Sequence, residues 1–151
     1  MAWRAVTDTD IKSKLSSEEL AQIRASAEAG TDPVADSVRI ITDKVRGFVA
    51  ANSRNVMGPE GTIPERLIDA AVALLVVDVY GRTAGLLIDL SDTRKKAAES
   101  ATSLLRDAAR GLFAVELPAD TPAAGEDAKS ASAEVVTQSA SPLRRDDLAG
   151  L

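Results

Sequence analysis

Two aspartates bracket the most apolar stretch of the chain and are the first residues to consider for chemistry. Asp69 and Asp78 stand on either side of an unbroken apolar run from Ala70 to Val77. If this stretch forms a helix, we expect the two carboxylates roughly on one face, where they could bind a cation or exchange protons. Acids on a buried helix more often pair with arginine or lie at its one solvated edge. We therefore predict a structural role for both.

Other residue types needed for catalysis are missing or unsuitably spaced. The chain has no histidine and no cysteine, which removes the commonest general base, the commonest transition-metal ligand and every disulfide. The segment Gly58–Gly61 has two glycines but no Lys-Ser or Lys-Thr pair, so it does not form a phosphate-binding loop. The remaining acids lack the spacing of a calcium loop and are predicted to be helix caps: Asp8, Asp10, Asp89 and Asp92. These observations predict a protein that is not an enzyme and holds no cofactor or metal.

The run Arg94-Lys95-Lys96 is the main candidate for nucleic-acid binding. A solvated first turn of a helix explains it at least as well. The formal net charge is −5, and the body of the chain is nearly neutral, so it offers no net attraction for phosphates. A small helical DNA-binding regulator that uses the helix pair around Gly30 is the alternative function, although the helix beginning at Asp32-Pro33 carries few bases.

Capping signatures predict where most of the helices begin and end. Each has an Asp, Ser or Thr whose side chain can accept hydrogen bonds from the free amides of the first turn. These helices run from Thr7 or Asp8 to Lys14, from Ser16 to about Ala29 before Gly30, from Asp32-Pro33 to about Asn52, and from Ser91 to about Arg110 before Gly111. A further helix begins at Pro64, and its almost wholly apolar stretch from Leu67 to Tyr80 predicts burial on all sides. That stretch is shorter than the roughly 20 residues needed to cross a bilayer.

Apolar spacing in two of these helices indicates which faces are buried. The helix after Pro33 has a stripe that recurs every three or four residues, and the last helix has an inner face of alanines and leucines. These residues are Val34, Val38, Ile41, Val45 and Phe48 in the first case, and Ala97, Ala101, Leu104, Leu105 and Ala108 in the second. Phe48 and Tyr80 are predicted to be core residues. Charged residues opposite the stripe should face solvent or a partner subunit: Asp36, Arg39, Asp43, Lys44 and Arg46.

The connections and the C-terminus complete the predicted organisation. Residues 52–63 form a loop, Leu86-Leu87-Ile88 is an apolar run of uncertain form, and Leu112–Leu117 is a short extended segment closed by Pro118. We predict an all-α fold, a small bundle of about four to five helices over residues 1–117. Residues 118–151 are predicted to be a low-complexity, flexible tail, because Pro, Ala, Ser, Thr and acidic residues dominate it.

The last residues of the chain regain leucine and paired charges, which is the composition of an anchor peptide on a flexible tether. Together with two positions in the 52–63 loop, they supply the predicted partner-binding residues. These are Leu143, Arg144, Arg145, Asp146, Asp147, Leu148, Leu151, Arg54 and Met57.

The order and spacing of these features resemble the head-tail adaptor proteins of tailed phages, also called connector or head-completion proteins, including the Mu-like joining protein family. The likeness spans about residues 3–118. It rests on an aromatic residue and entry helix before Leu15–Leu20, then Val45–Ala51, Ile63-Pro64, Leu67–Ala71, Asp78–Tyr80, and Leu105–Gly111 followed by Leu112–Pro118. The loop departs from the family pattern, because Ser53–Pro59 stands where the family has Tyr-Pro-Leu-Pro.

The resemblance implies a structural protein of the virion, assembled in the host cytoplasm. It implies a ring of about twelve copies beneath the portal, which extends the DNA channel and joins head to tail. The implied partners are further copies of the chain, the portal protein and a tail-side stopper or tail terminator protein. Packaged DNA would pass through without specific binding, and no membrane is involved. The mild negative charge suits a channel through which DNA must slide.

Overall fold

Five α-helices make up most of the described residues, which confirms the predicted all-α fold. The computed structural model describes residues 3–28, 30–82 and 90–119. The elements are β1 (Trp3–Arg4), α1 (Asp8–Lys12), α2 (Ser17–Ala25), α3 (Pro33–Ala50), β2 (Ile63–Pro64), a 3-10 turn (Glu65–Leu67), α4 (Ile68–Arg82) and α5 (Asp92–Arg110). Predictions for Ala29, Leu86–Ile88, Asp89 and the partner residues Leu143–Leu151 lie outside the described residues.

Reciprocal capping boxes start the two short N-terminal helices, as predicted. At the start of α1, the Asp10 amide donates to the Thr7 hydroxyl, and the Thr7 amide donates to the Asp10 carboxylate at 2.8 Å. At the start of α2, the Glu19 amide donates to the Ser16 hydroxyl at 3.1 Å, and the Ser16 amide donates to the Glu19 carboxylate at 2.7 Å. Residues close in sequence therefore specify both starts.

Helix α2 ends at Ala25, earlier than the predicted end near Ala29. Ile23 is its last buried residue, so further turns would gain nothing from packing. The Ser26 hydroxyl donates to the Ile23 carbonyl at 2.8 Å and satisfies a group that the end of the helix leaves free. The prediction that Gly30 ends this helix is therefore wrong: Ser26 is the C-cap, with right-handed dihedral angles, and Gly30, with a φ of 90°, lies in the connection to α3.

The two long outer helices begin where the sequence predicts. The Asp32 carboxylate accepts from the amides of Val34 and Ala35 at the start of α3, at 3.0 and 3.4 Å. The Ser91 hydroxyl accepts from the Arg94 amide at the start of α5. Gly111, with a φ of 76°, ends α5 in the left-handed conformation.

Helix α4 is the centre of the bundle and packs against α1, α3 and α5. The predicted burial on all sides is confirmed only in part: nine of its 15 residues are buried, whereas Asp69, Gly81 and Arg82 are exposed. The buried residues are Ile68, Ala70, Ala71, Val72, Ala73, Leu74, Leu75, Val76 and Val79. None of the helices in the described ranges combines the length and apolar character of a membrane span.

A two-stranded pairing that the sequence did not predict ties the N-terminus to the start of α4. β1 pairs antiparallel with β2, with Trp3 opposite Pro64. The Trp3 indole Nε1 donates to the Glu116 carbonyl at 2.7 Å. Trp3 therefore holds both the strand entering α4 and the segment after α5.

The inner face of α5 includes Ala98 in place of the predicted Ala97, and the predicted Leu104 is only half-buried. Ala98, Ala101, Leu105 and Ala108 are buried, whereas Ala97 is exposed. The buried residues are spaced by three, four and three, and Ala97 is turned about 100° away from Ala98. The predicted extended segment after Gly111 forms no strand, although Phe113 and Val115 pack against the core.

Candidate functional site

Asp69 and Asp78 do not form a carboxylate pair. Nine residues at about 3.6 per turn amount to two and a half turns, so the expectation of one shared face is wrong. The exposed Asp69 carboxylate lies 2.8 Å from the Lys14 ammonium. The Asp78 carboxylate accepts from the buried Ser37 hydroxyl at 2.6 Å and from Arg82 Nε at 2.8 Å. Asp78 pairs with an arginine and Asp69 lies at a solvated edge of α4, which are the two arrangements expected of acids on a buried helix.

Arg94 joins three helices in a partly buried cluster, which we call the polar joint and define as Glu19, Tyr80 and Arg94. Arg94 Nη1 donates to Glu19 Oε1 at 2.9 Å and to the Tyr80 hydroxyl oxygen at 2.8 Å. The Tyr80 hydroxyl donates to Glu19 Oε1 at 2.7 Å. Arg94 Nη2 also donates to the Lys14 carbonyl at 3.1 Å. The polar joint thereby fixes α2 and the turn between α1 and α2 against α4 and α5.

The polar joint keeps Glu19 ionised. Hydrogen bonds from Arg94, followed by those from Tyr80 and the Ser16 amide, lower the pKa of Glu19 to about 2 despite its burial. Burial and the adjacent carboxylate raise the pKa of Tyr80. Among the described residues, every buried side-chain nitrogen or oxygen has a hydrogen-bond partner. The cluster is thus satisfied within the subunit.

The basic run at the start of α5 is not a continuous cationic patch. Arg94 is engaged in the polar joint, and Lys95 Nζ lies 3.6 Å from Asp92 Oδ1. Lys95 and Lys96 are exposed, as a solvated first turn predicts. Because Arg94 points into the protein, the run offers less charge to phosphates than its sequence suggests.

Arg46 was predicted to face solvent or a partner, and this prediction is wrong. Its guanidinium donates to the carbonyls of Pro59, Thr62 and Gly58 at 2.8, 2.7 and 3.2 Å. It also lies 5.8 Å from the centre of the Trp3 ring. Arg46 therefore fixes the second half of the loop before β2. The other four charged residues predicted on this face are exposed: Asp36, Arg39, Asp43 and Lys44.

One end of the bundle carries exposed apolar side chains. We call it the loop-end surface and define it as Arg54, Val56, Met57, Leu112 and Leu117. The exposed fractions of Val56, Leu112 and Leu117 are 42%, 75% and 60%, and these are the large exposed hydrophobic residues of the described ranges. Arg54, predicted to bind a partner, is also exposed. Met57, predicted likewise, is half-buried and packs against the core.

Close contacts hold the two segments of the loop-end surface side by side. A Cβ atom at Gly111 would lie 2.9 Å from the Asn52 side-chain nitrogen, and one at Gly58 would lie 2.5 Å from the Trp3 ring. The Trp3 indole in turn contacts Glu116. Asn52 therefore lies close to Gly111, and Gly58 lies close to Glu116 across the Trp3 ring, so the loop that carries Arg54 and Met57 runs near the segment that carries the two leucines.

The sequence prediction included Arg54 and Met57 but missed Leu112 and Leu117. The amides of Leu112 and Phe113 both donate to the Asp107 carbonyl, so Leu112 lies in the turn that closes α5. Spacing along the chain therefore gives no signal for its exposure, and only the tertiary structure reveals that Leu112 and Leu117 are exposed.

A second surface feature is a groove of about 600 Å³ between α4 and α5. Its floor is made of small apolar side chains, and charged side chains lie at its rim. The floor comprises Ala70, Ala73, Val76, Ala97, Ala101 and Leu104, and the charged rim comprises Lys14, Arg66, Asp69 and Arg94. Residues of α3 do not line it, since α3 packs against α4 and α5 elsewhere.

Within the described residues, no cluster of three or more acidic side chains is placed to hold a metal ion. Among the described residues, two features that a partner could contact are the loop-end surface and the α4–α5 groove. Comparison of the chain with known protein families, curated proteins and solved structures finds no match.

Proposed function

We propose that this protein is a structural adaptor of the head-tail joint of a tailed phage or phage-like particle. In this proposal, copies form a ring beneath the portal that extends the DNA channel and supports a tail-side protein. The helical order that resembles the adaptor family supports it, as does the small all-α subunit. Such a subunit would act by binding other proteins. It therefore needs apolar side chains that remain exposed in the isolated subunit and become buried against a partner.

The observation that carries the proposal is the loop-end surface. Leu112 and Leu117 keep most of their area in water, although the rest of the bundle buries its large apolar residues. Exposed large apolar side chains on neighbouring segments are a feature of surfaces that bind other proteins. Arg54 and Arg110 are exposed in the same segments, so the partner surface would be apolar with acidic neighbours. We assign this end to the portal contact.

The residues Leu143–Leu151 provide a second contact in this proposal. About 24 positions separate Leu143 from Ala119, and if this segment is flexible, as its composition predicts, a chain of that length would have an end-to-end distance of about 25–30 Å. A peptide tethered in this way would bind the portal with an effective concentration near the millimolar range. The tethered peptide would add to the affinity of the contact that the loop-end surface makes with the portal.

Passage of DNA without specific binding agrees with the charge distribution. The net charge is −5, and the largest basic run has its arginine engaged by Glu19. A lumen with little positive charge would not hold the phosphate backbone.

Multi-angle light scattering of the purified protein, alone and mixed with the portal protein of the same particle, tests the proposal. We expect ring-sized assemblies or a portal-bound complex. The variant Leu112→Asp/Leu117→Asp should lose portal binding by roughly 100-fold or more, since charge would enter the apolar contact. Ser103→Asp is the matched control, because Ser103 is exposed on α5 outside this surface and outside the groove.

A monomer with no affinity for the portal would contradict the proposal. If the same protein bound DNA with an affinity that fell steeply with salt, the alternative of a small DNA-binding regulator would replace it. Truncation after Ala119 tests the tail separately. Unchanged portal affinity would remove Leu143–Leu151 from the contact without affecting the assignment of the loop-end surface.

A further inference from the structure

The N-terminal strand β1 contacts two segments that are far apart in the sequence. We call this strand the N-terminal strap and define it as Trp3 and Arg4. The Trp3 indole Nε1 donates to the Glu116 carbonyl at 2.7 Å, and a Cβ atom at Gly58 would lie 2.5 Å from the Trp3 ring. Trp3 is only 8% exposed. Its ring therefore lies buried between the loop before β2 and the segment after α5.

Arg46 fixes the loop side of this contact. Its guanidinium lies 5.8 Å from the centre of the Trp3 ring and donates to the carbonyls of Gly58 and Thr62. Residues 52–62 form no helix or strand. Contacts from side chains such as these therefore do much to hold the loop in one conformation.

Glu116 fixes the other side of the contact. Its carbonyl accepts from Trp3, and its carboxylate lies 3.1 Å from Arg66 Nε. Residues 111–119 also form no helix or strand. Leu117, an exposed leucine of the loop-end surface, directly follows Glu116. The position of Leu117 is therefore tied to the hydrogen bond from Trp3.

The N-terminal strap itself is small. β1 and β2 have two residues each, and Arg4 adds two hydrogen bonds to the Asp10 carboxylate at 2.7 and 2.8 Å. An isolated pair of strands is marginally stable at best, and segments with few buried contacts open at a lower free energy than the core. We therefore expect the strap to open before the helical bundle unfolds.

We infer that docking of the N-terminal strap controls binding at the loop-end surface. The docked strap holds the two segments of the surface at the separation that a partner recognises, and its release lets them move apart. Trp3 is a positioning residue, because its ring is buried beneath the contact. Holding the surface in its bound arrangement lowers the entropic cost of association. By linkage, a bound partner stabilises the docked strap. This inference rests on the proposed function, in which the partner is the portal protein.

Distances between spin labels test the inference without a partner. The chain has no cysteine, and Arg54 and Leu117 are exposed on the two segments, so Arg54→Cys/Leu117→Cys provides one label on each. Double electron-electron resonance should give a narrow distance distribution. Trp3→Phe, which removes the indole donor, should make it at least roughly twofold wider. An unchanged distribution overturns the inference.

Ile23→Val is the matched control for a general loss of stability. Ile23 is buried in α2, which supplies none of the hydrogen-bond partners of Trp3 or Arg4. This substitution should leave the distance distribution unchanged. Circular dichroism checks that each variant is folded at the temperature of the measurement.

Portal binding gives the second readout, measured by surface plasmon resonance on proteins without the added cysteines. Trp3→Phe should raise the Kd at least roughly tenfold, whereas Ile23→Val should leave it unchanged. If Trp3 acted only through overall stability, both variants would keep the Kd of the unmodified protein, because both are fully folded. That result also overturns the inference.

Gly58→Ala approaches the same contact from the loop side. It keeps the indole donor but displaces the ring, so it should change both readouts in the same direction as Trp3→Phe. Normal portal binding by Trp3→Phe and Gly58→Ala would overturn the inference and leave the proposed adaptor function standing. A wider label distribution in Trp3→Phe, together with no portal binding by the unmodified protein, would support the role of the strap in positioning the surface and contradict the proposed function.

Discussion

The polar joint and the loop-end surface differ in how many of their side chains find contacts within the subunit. At the polar joint, Glu19, Tyr80 and Arg94 all have partners within 2.7–2.9 Å. At the loop-end surface, Leu112 and Leu117 stay mostly exposed. Burying apolar surface would stabilise the protein by about 25 cal/mol per Å². The first region stabilises the fold, and the second is the surface that our proposal assigns to a partner. Mutations should therefore separate stability from binding.

The largest effect is expected from Arg94→Ala at the polar joint. It would leave the partly buried Glu19 carboxylate without its main donor, which should lower the free energy of unfolding by about 2–3 kcal/mol. Chemical denaturation followed by circular dichroism measures this. The neighbouring Lys95→Ala should change it by less than about 0.5 kcal/mol, because Lys95 is exposed. Equal losses for the two variants would show that the polar joint is not the stabilising feature.

A comparably large effect is expected below the loop-end surface, from Gly58→Ala. The added Cβ would lie 2.5 Å from the Trp3 ring, which is buried and hydrogen-bonded to Glu116, so the ring must shift. We expect a loss of about 1–3 kcal/mol and a change in the fluorescence of the single tryptophan. Gly47→Ala is the control, since the space there is open, and it should stabilise the isolated subunit by about 0.5–1 kcal/mol.

A smaller effect concerns the pH dependence of the polar joint. The pKa of Glu19 is lowered in the folded protein from 4.5 to about 2, so its stabilising contribution is fully present above about pH 4.5 and is lost as pH falls toward 2. Glu19→Gln should reduce stability at pH 7 by about 1–2 kcal/mol after allowance for solvent screening. The difference between the two proteins should vanish near pH 2. Asp10 also has a lowered pKa, and comparison of the two proteins cancels its contribution.

The smallest stability effect is expected at the loop-end surface itself. Leu112→Asp/Leu117→Asp should change the free energy of unfolding by less than about 0.5 kcal/mol, because both side chains are already exposed. The same variant is the one expected to lose portal binding. A large loss of stability would place these leucines in the fold and weaken the distinction between the two regions.

Local patterns in the sequence predicted much of the fold. Thr7, Ser16, Asp32 and Ser91 cap helices where their spacing to free amides predicts, since capping depends on residues only two or three positions apart. The apolar stretch of α4 likewise predicts its central position, because a helix without a polar face must be covered on all sides. By contrast, the end of α2 was misplaced, since it depends on where packing against the rest of the bundle stops.

The candidate surfaces were harder to predict, because their chemistry depends on partners distant in sequence. The sequence predicts that Arg94 and Arg46 face solvent. In the structure, Arg94 binds Glu19, which lies 75 positions earlier, and Arg46 binds carbonyls of the loop before β2. Arg54 and Met57 were selected from the loop, but the leucines that accompany them follow α5.

The sequence by itself determined the helices, their caps and the central position of α4, because these follow from propensity, spacing and apolar periodicity along a few turns. Only the tertiary structure decided which charged side chains have partners within the subunit and which apolar side chains remain exposed to solvent. The physical reason is that an ion pair or a buried contact requires two groups to meet in space. Trp3 shows this directly, since one side chain contacts Gly58 and Glu116 and thereby brings the two segments of the loop-end surface together.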